Sequence, residues 1–440
     1  MKKAMNEESE KSPFKAYDVR GVYPKEVNEA LAEKIGNSLP KIIKSKKIII
    51  GYDARISSKT LFNALVKGAN SAGATALSIG LCTTPKFYFS GRLLNLGGVM
   101  ITASHNPKNQ NGFKFMNKNG ALFTKSDMRK IENSHRVEQR KGRLISVDTS
   151  KEYGRFLMHC RNFKESGKKL KIVVDAGNGT GGKDFELISK NISVIKLNFR
   201  PDGSFPAHNP NPLMKKNIRQ LCSAVRKNSA DLGIAFDGDA DRAVFVDEKG
   251  IPIKSDFMAM LFIQELLKKS QKAVLDLRIS RIAEKTAVKK HIKIIRSRVG
   301  RTNISELMKK TDADFGAELS GHYYFKENNF LDSGVFASAK IIRILSSKKE
   351  PLSFIAGRFA QSALSDEKSF RVKDKKKALK HFSRIKGRKD YLDGITISGK
   401  NWWINARPSN TENLVRIRGE AEKKKILTAL LKKAERFINA

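Results

Sequence analysis

Cysteine is scarce in this 440-residue chain: Cys82, Cys160 and Cys222 lie far apart, form no CxxC pair and are odd in number. That argues against a disulfide framework or a cysteine zinc site and for reduced thiols in the core of a cytoplasmic protein. Long apolar runs are missing too. The longest, Phe257 to Leu267, is broken by Gln264 and Glu265 and is too short to span a bilayer. The opening MKKAMNEESEK places acids where a signal peptide needs an apolar stretch, so no export signal is expected. Hydrophobic residues make up 40% of the chain, low for a globular enzyme but above the disordered class, and the length allows several domains.

Negative charge is in deficit. Asp and Glu total 44 against 86 Lys and Arg, a formal +42. Such a field attracts anions of any kind, including sugar phosphates, nucleic acids and anionic membranes. The lysines are spread along the chain, as in Lys375–Lys377 and Lys423–Lys425, and no RNA-binding signature with interleaved aromatics occurs. Specific nucleic-acid binding is therefore not expected, and basic residues alone imply only sequence-independent contact.

Three segments share one pattern, a β-branched run ending in an aspartate, then a loop of small or polar residues, then a helix-like stretch. They are KKIIIGYDARISS (Asp53), KIVVDAGNGTGG (Asp175) and KAVLDLRIS (Asp276). Buried strands alternating with helices, such as Lys59–Ala72 and Arg281–Lys290, predict parallel α/β units. Three related α/β domains with mixed, mostly parallel sheets are expected at 1–146, 147–248 and 249–362. A smaller α+β domain is expected at 363–440, with strands in NWWINARPSN and NLVRIRG and a helix from Ala421. Ligands of parallel α/β sheets sit beyond the carboxyl ends of the strands, so the loaded loops are expected to converge on a central cleft.

Four of those loops carry chemistry. In GGVMITASHNPKNQNGFK a strand runs into Ser104, which is expected to be exposed, with His105 beside it and Lys114 a short loop away. Such a serine suits a phosphoryl carrier with a cation to neutralise charge, or simply a capped turn. In DLGIAFDGDADRAVFVDEKG, Asp237, Asp239 and Asp241 repel one another unless a cation joins them, and oxygen-only ligation next to phosphate chemistry selects Mg²⁺. A solvated acidic turn is the alternative. Glu248 falls at the twelfth position of a calcium loop, but the strand-like AVFV argues for a hairpin instead. Arg242 follows and can reach a phosphoryl oxygen. In FGAELSGHYYF, Glu318, Ser320 and His322 alternate around Gly321 and suit sugar hydroxyls, or a plain polar turn. In ARPSNTENLVRIRGE, Arg407, Ser409, Asn410, Thr411 and Arg416 offer donors for a phosphate, or a capped loop.

In this order the four motifs resemble the α-D-phosphohexomutase family and, within it, the phosphomannomutase/phosphoglucomutase group. FKAYDVRG, GYDARIS, DAGNGTGG and DLRISR resemble further landmarks, so the likeness spans essentially the whole chain. It implies a phosphoserine at Ser104, with Mg²⁺ between its phosphate and the three aspartates. It implies exchange of hexose 6-phosphate and hexose 1-phosphate, of mannose or glucose, through a glucose or mannose 1,6-bisphosphate that also serves as activator. Arg20, His105, Lys114 and Arg242 are implied around the phosphoserine; Tyr17, Arg278, Glu318, Ser320 and His322 with the sugar; and Arg407, Ser409, Asn410, Thr411 and Arg416 as a phosphate clamp on a mobile last domain. A monomer or weak dimer is expected, with small sugar phosphates as partners and no membrane.

The chain also departs from the family pattern. Arg301 stands where many members have His, Arg278 where Lys is common, and Asn413 where Pro usually follows the Glu; FPAHNPNP differs slightly. A guanidinium hardly titrates, which weakens any proton-transfer role for Arg278. Phosphoglucosamine mutases resemble the chain but tend to carry Gln between the Glu and Ser and Gly where Asn410 stands. That activity is one alternative, and a basic nucleic-acid-binding protein on a mutase fold is another.

Overall fold

A computed structural model of the chain describes residues 12–136, 141–161, 168–409 and 413–439. Four domains follow one another. The first contains β1 (Asp18–Val22), α1 (Glu29–Ile42), β2 (Lys47–Tyr52), α2 (Ser58–Ser71), β3 (Thr75–Leu81), α3 (Thr84–Leu93), β4 (Gly98–Ile101), β5 (Gln110–Met116), α4 (Lys125–Glu132) and β6 (Leu144–Ser146). Its sheet runs β1-β5-β4-β2-β3-β6. The centre, β4-β2-β3-β6, is parallel, and β5 and β1 add antiparallel pairs. The sheet is mixed because β5 returns directly from β4 through the Ser104 loop, whereas the parallel strands are joined through helices.

The second domain holds α5 (Ser150–Arg161), β7 (Lys171–Asp175), α6 (Gly181–Glu186), β8 (Ser193–Leu197), α7 (Arg219–Lys227), β9 (Leu232–Phe236) and β10 (Ala243–Val246), with sheet order β10-β9-β7-β8. The third holds α8 (Ser255–Leu266), β11 (Lys272–Asp276), α9 (Ile282–Val288), β12 (Lys293–Ser297), α10 (Arg301–Thr311), β13 (Phe315–Ala317), β14 (Tyr323–Phe325), β15 (Leu331–Asp332), α11 (Gly334–Ser346) and α12 (Leu352–Gly357). Its sheet, β12-β11-β13-β14-β15, is parallel on one side and antiparallel on the other. The last domain has β16 (Ala363–Leu364), β17 (Lys368–Arg371), α13 (Lys375–Phe382), β18 (Arg388–Asp390), β19 (Ile395–Gly399), β20 (Trp402–Pro408), β21 (Leu414–Ala421) and α14 (Lys424–Asn439). Its sheet is antiparallel throughout. The C-terminal helix starts at Lys424, not at Ala421, because Ala421 still pairs with Trp402 and Ala363 at the end of β21.

By compactness the chain forms two units. One comprises Met1–Asn162, Val173–Leu221 and Ile234–Ala243; the other comprises Phe163–Ile172, Cys222–Gly233 and Val244–Ala440. In the first unit, Ile48 and Ile50 of β2, Val99 and Ile101 of β4 and Phe113 and Phe115 of β5 are buried with the apolar faces of α1 and α2. Those helices cross at glycines. A Cβ on Gly36 would lie 2.0 Å from the Leu65 carbonyl oxygen, and one on Gly68 would lie 2.0 Å from that of Glu33. In the second unit, the last domain packs Ile397, Ile404, Ala406, Val415 and Ile417 against Phe382, Ala434 and Ile438.

The apolar run at Phe257–Leu267 falls almost wholly within α8, whose Met258 to Ile263 are buried. Among the described residues no helix is long and apolar enough to cross a membrane. All three cysteines are free; Cys82 and Cys160 are buried, but Cys222, expected in the core, is only partly covered on α7.

Candidate active site

The three repeated strand ends share one device. Asp53 Oδ1 accepts from Arg55 N at 3.0 Å, Asp175 Oδ1 from Gly177 N at 2.9 Å and Asp276 Oδ1 from Arg278 N at 2.7 Å. A carboxylate that binds the amide two residues on turns the chain sharply as it leaves the strand. Each also engages a cationic or protonatable side chain: Arg55 at 3.2 Å, His208 at 2.9 Å and Arg278 at 2.6 Å, respectively. His208 faces the Asn209 carbonyl through Nδ1 and Asp175 through Nε2. Both partners offer acceptor oxygens, an arrangement that favours the charged ring with hydrogen on both nitrogens. Burial opposes that charge, but the bonds to Asp175 and Asn209 outweigh it and raise the pKa.

In the first unit, Ser104 is completely buried, not exposed as its strand-end position suggests. Its φ is +54°, uncommon for a residue with a Cβ. Its hydroxyl donates to Asp237 Oδ2 at 2.6 Å, and His105 Nδ1 lies 3.4 Å from Ser104 Oγ. Exposure fails as an expectation because the Asp237 loop, between β9 and β10, lies over the serine. The approach is so close that a Cβ on Gly238 would sit 2.7 Å from the Ser104 carbonyl oxygen. Lys114, on β5, is buried and reaches the aspartates, with Nζ 2.5 Å from both Asp239 Oδ2 and Asp241 Oδ2. Thr84 donates to Asp239 Oδ2 at 2.5 Å. Arg242 Nε is 3.6 Å from Asp237 and 3.8 Å from Asp241. Arg20 pairs with Asp18 at 2.8 Å and points Nη1 at the Ala103 carbonyl and Asn106 side chain, each at 3.4 Å. Tyr17 is half-buried just before β1.

In the second unit, Glu318 is buried and already engaged by protein groups. It accepts from Gly300 N at 2.9 Å and from the Tyr324 hydroxyl at 2.8 Å, and His322 Nδ1 is 3.1 Å away. Burial works to raise its carboxyl, but His322, then Arg278 and Tyr324, outweigh that and hold it at about 2. Ser320 Oγ lies 2.8 Å from His322 Nδ1. Leu319 N donates to Asp276 Oδ2 at 3.0 Å, which ties this loop to Arg278. Arg278 Nη1 is 3.3 Å from Glu367 Oε1, and Arg407 Nη2 is 3.3 Å from the same oxygen. Arg416 acts on Glu367 as well, and together the three guanidinium groups outweigh burial to hold its carboxyl below the usual range. Burial, then the neighbouring Arg278, lowers the pKa of Arg407. Its Nε is buried without a hydrogen-bond partner among the described residues. Ser409 is buried, with its carbonyl accepting from Lys375 Nζ at 2.9 Å. Asn410 and Thr411 lie outside the described residues.

Of the departures, Arg301 is buried at the start of α10, and Asn413 is exposed with its carbonyl accepting from Val372 N at 3.0 Å.

Phosphoglucomutase/phosphomannomutase models match along the chain: alpha/beta/alpha domain I on residues 11–141, domain II on 151–250, domain III on 254–362 and the C-terminal domain on 367–436. The chain belongs to this family. A phosphomannomutase of Methanocaldococcus jannaschii is 36% identical over 442 residues, covering 97% of each protein. A Xanthomonas campestris protein named for phosphohexose mutases is 33% identical over 425 residues, covering 92% of this chain and 94% of its own length. The crystal structure of a phosphoglucomutase/phosphomannomutase family protein from Burkholderia thailandensis superposes with a TM-score of 0.88 at 26% identity, covering 97% of this chain and 96% of that one.

In this phosphoglucomutase/phosphomannomutase family member the aspartate trio can hold a metal ion. All three carboxylates are buried and offer oxygens within 4.8 Å of one another. Asp239 Oδ1 is buried with no hydrogen-bond partner among the described residues. Burial, then the charges of Asp241 and Asp239, push the Asp237 carboxyl well above its usual range, while Arg242 and Lys114 oppose this. The cluster thus has more negative charge than its own cations balance, and hard oxygen donors suit a hard divalent cation.

Residues missed by sequence reasoning also engage these loops. Arg55 binds four carbonyls of the Ser104 segment, Thr84 binds Asp239, and Glu367 lies between two arginines. Arg55 carried a signal, since it follows a repeated aspartate. Thr84 and Glu367 lie in stretches without a motif, and only folding makes them neighbours of the site.

Proposed function

We propose that this chain interconverts hexose 6-phosphates and hexose 1-phosphates of mannose or glucose, with the phosphoryl group carried on Ser104. The observation that carries the reading is the buried hydroxyl–carboxylate pair Ser104–Asp237, joined in one cluster to Asp239, Asp241 and Lys114. A phosphoryl group on Oγ removes the proton that now satisfies Asp237 and adds negative charge beside three carboxylates. That arrangement needs a divalent cation, and Asp237, Asp239 and Asp241 would hold Mg²⁺, which supplies charge neutralisation when bound.

In the reaction, the bond from phosphorus to Ser104 Oγ breaks as one forms to the sugar's free hydroxyl oxygen, whose proton passes to a neighbouring base. The resulting 1,6-bisphosphate returns its other phosphoryl to Oγ, leaving the isomeric monophosphate. Lys114, Arg242 and Arg20 stabilise the transferring charge, and His105 is placed to handle a proton at Ser104. Glu318, Ser320 and His322 recognise sugar hydroxyls, with Tyr17 assisting. Arg407, Ser409 and Arg416, with Asn410 and Thr411, clamp the phosphate that is not transferred, and Arg278 binds the substrate alongside Glu318. The orphaned Arg407 Nε supports this clamp, because a buried donor without a partner favours an anionic ligand. The name of the Methanocaldococcus relative favours mannose phosphates. We place the enzyme in the cytoplasm, as a monomer or weak dimer whose positive charge attracts anionic substrates and gives only non-specific nucleic-acid contact.

Intact-mass measurement before and after incubation with glucose 1,6-bisphosphate tests the carrier. One phosphate should appear on the wild type and none on Ser104→Ala, whose mutase turnover should vanish. A Ser104→Ala variant that keeps turnover would refute the reading. Strong preference for glucosamine 1-phosphate over mannose and glucose 1-phosphates would reassign the substrate.

A further inference from the structure

The Ser104 loop is held from below by a side chain that touches none of the reacting groups. Arg55 leaves the Asp53 turn at the end of β2, and its side chain is fully buried. Its Nη1 donates to the carbonyls of Pro107 at 2.7 Å and Gln110 at 2.8 Å. Its Nη2 donates to those of Ser104 at 2.8 Å and Asn106 at 2.7 Å. The four terminal N–H groups are thereby all used on one short backbone segment, and none is left for a phosphate.

The fork itself is fixed on its other sides. Arg55 Nε is ion-paired with Asp53 Oδ2 at 3.2 Å, and the Phe205 ring lies 5.3 Å from the guanidinium carbon. Asp53 Oδ1 is in turn held by Ser58 Oγ at 2.6 Å, and Ser58 Oγ accepts from the Asn111 side chain at 3.0 Å.

The decisive bond is the one to the Ser104 carbonyl. That oxygen lies between Arg55 and the backbone of Gly238 in the aspartate loop. Capturing it anchors the peptide plane after Ser104, next to a residue whose φ of +54° its Cβ disfavours. In this conformation the strand end turns its hydroxyl onto Asp237 Oδ2 at 2.6 Å.

We infer that Arg55 is a positioning residue for phosphoryl transfer, clamping the 104–110 backbone so that Ser104 Oγ is presented to the aspartate loop. The inference rests on the reading of Ser104 as the phosphoryl carrier. A lysine cannot replace Arg55, because three donors on one nitrogen cannot span four carbonyls arranged around a planar fork.

The test compares wild type, Arg55→Lys, Arg55→Ala, Asp53→Asn and Ser104→Ala by steady-state kinetics, phosphate content of Ser104 and thermal unfolding. Arg55→Lys is expected to lose about 100-fold in kcat, the scale of an ångström misplacement of a reacting group, with little change in KM. Its Ser104 should be phosphorylated more slowly than wild type by glucose 1,6-bisphosphate. Free guanidinium should restore part of kcat to Arg55→Ala, and a comparable concentration of ammonium should not. Should Arg55→Lys fail to fold, Asp53→Asn decides the matter, because it keeps the Oδ1 acceptor of the turn and removes the carboxylate charge that pairs with Arg55 Nε: reduced kcat at constant KM supports the inference. Wild-type kcat in a folded Arg55→Lys or Asp53→Asn, with Ser104 phosphorylated normally, overturns it. Turnover by Ser104→Ala would instead overturn the carrier reading on which it rests.

Discussion

Replacing Lys114 by Met keeps the length of the side chain and removes its charge. In the native protein this side chain is 1% exposed, and its ammonium makes two ion pairs of 2.5 Å, with Asp239 and Asp241. The variant leaves three buried carboxylates with Arg242 still beside them, its Nε 3.6 Å from Asp237 and 3.8 Å from Asp241. Removing one partner of a buried ion pair costs about 3–5 kcal/mol, because the uncompensated charge stays out of water. At about 2–4 °C per kcal/mol for a unit of some 200 residues, Tm should fall by roughly 6–20 °C in a chelating buffer. A divalent cation that binds the folded trio should recover part of that loss, about 2.7 kcal/mol at a hundredfold excess over its Kd. The wild type should gain less, because ammonium and metal draw on the same carboxylates. Differential scanning calorimetry with EDTA and with Mg²⁺ provides the comparison. Equal Tm values for variant and wild type in EDTA would refute the claim that Lys114 balances this cluster. An identical Mg²⁺ response in the two proteins would refute the shared-carboxylate argument.

Two further outcomes follow from other parts of the first unit. Asp184 is buried and accepts from Thr83, the residue that caps α3, and burial raises its carboxyl from 3.8 to about 6, with Thr83 and Lys86 opposing. The folded state therefore holds this proton more tightly than the unfolded chain. Its contribution is most favourable below about pH 4 and weakens by about 3 kcal/mol as pH rises through 6. Urea unfolding of Asp184→Asn at pH 4 to 7 should show that slope removed; an unchanged slope would exclude Asp184 as its source. Gly68→Ala should destabilise by about 1–3 kcal/mol despite the better helix propensity of alanine, since its Cβ meets the Glu33 carbonyl at 2.0 Å. An unchanged denaturation midpoint would show that the helices can separate without loss.

Much of the site was legible in the order of residues because its chemistry is carried by short, contiguous loops. The repeated strand-end aspartates Asp53, Asp175 and Asp276 mark turns whose hydrogen bonds close within two residues, so local sequence contains the partner that makes each turn. The same holds for the spacing of Asp237, Asp239 and Asp241. The environment of Ser104 was not legible. A strand followed by a turn and proline suggests exposure, whereas Asp237, 133 positions away, covers the hydroxyl. Glu367 shows the limit more sharply. Nothing in LSDEKSF marks it, and its meaning comes from Arg278 and Arg407, brought to it from β11's terminal turn and from β20.

By itself the sequence determined the four-domain α/β architecture, the family and the identity of the loops that bear charge, because apolar periodicity and turn chemistry act over a few residues. Tertiary structure alone decided which charges meet, which are buried and which backbone is held in a strained turn. Those outcomes depend on distances between segments far apart in the chain and on the exclusion of water around them. Local sequence encodes neither.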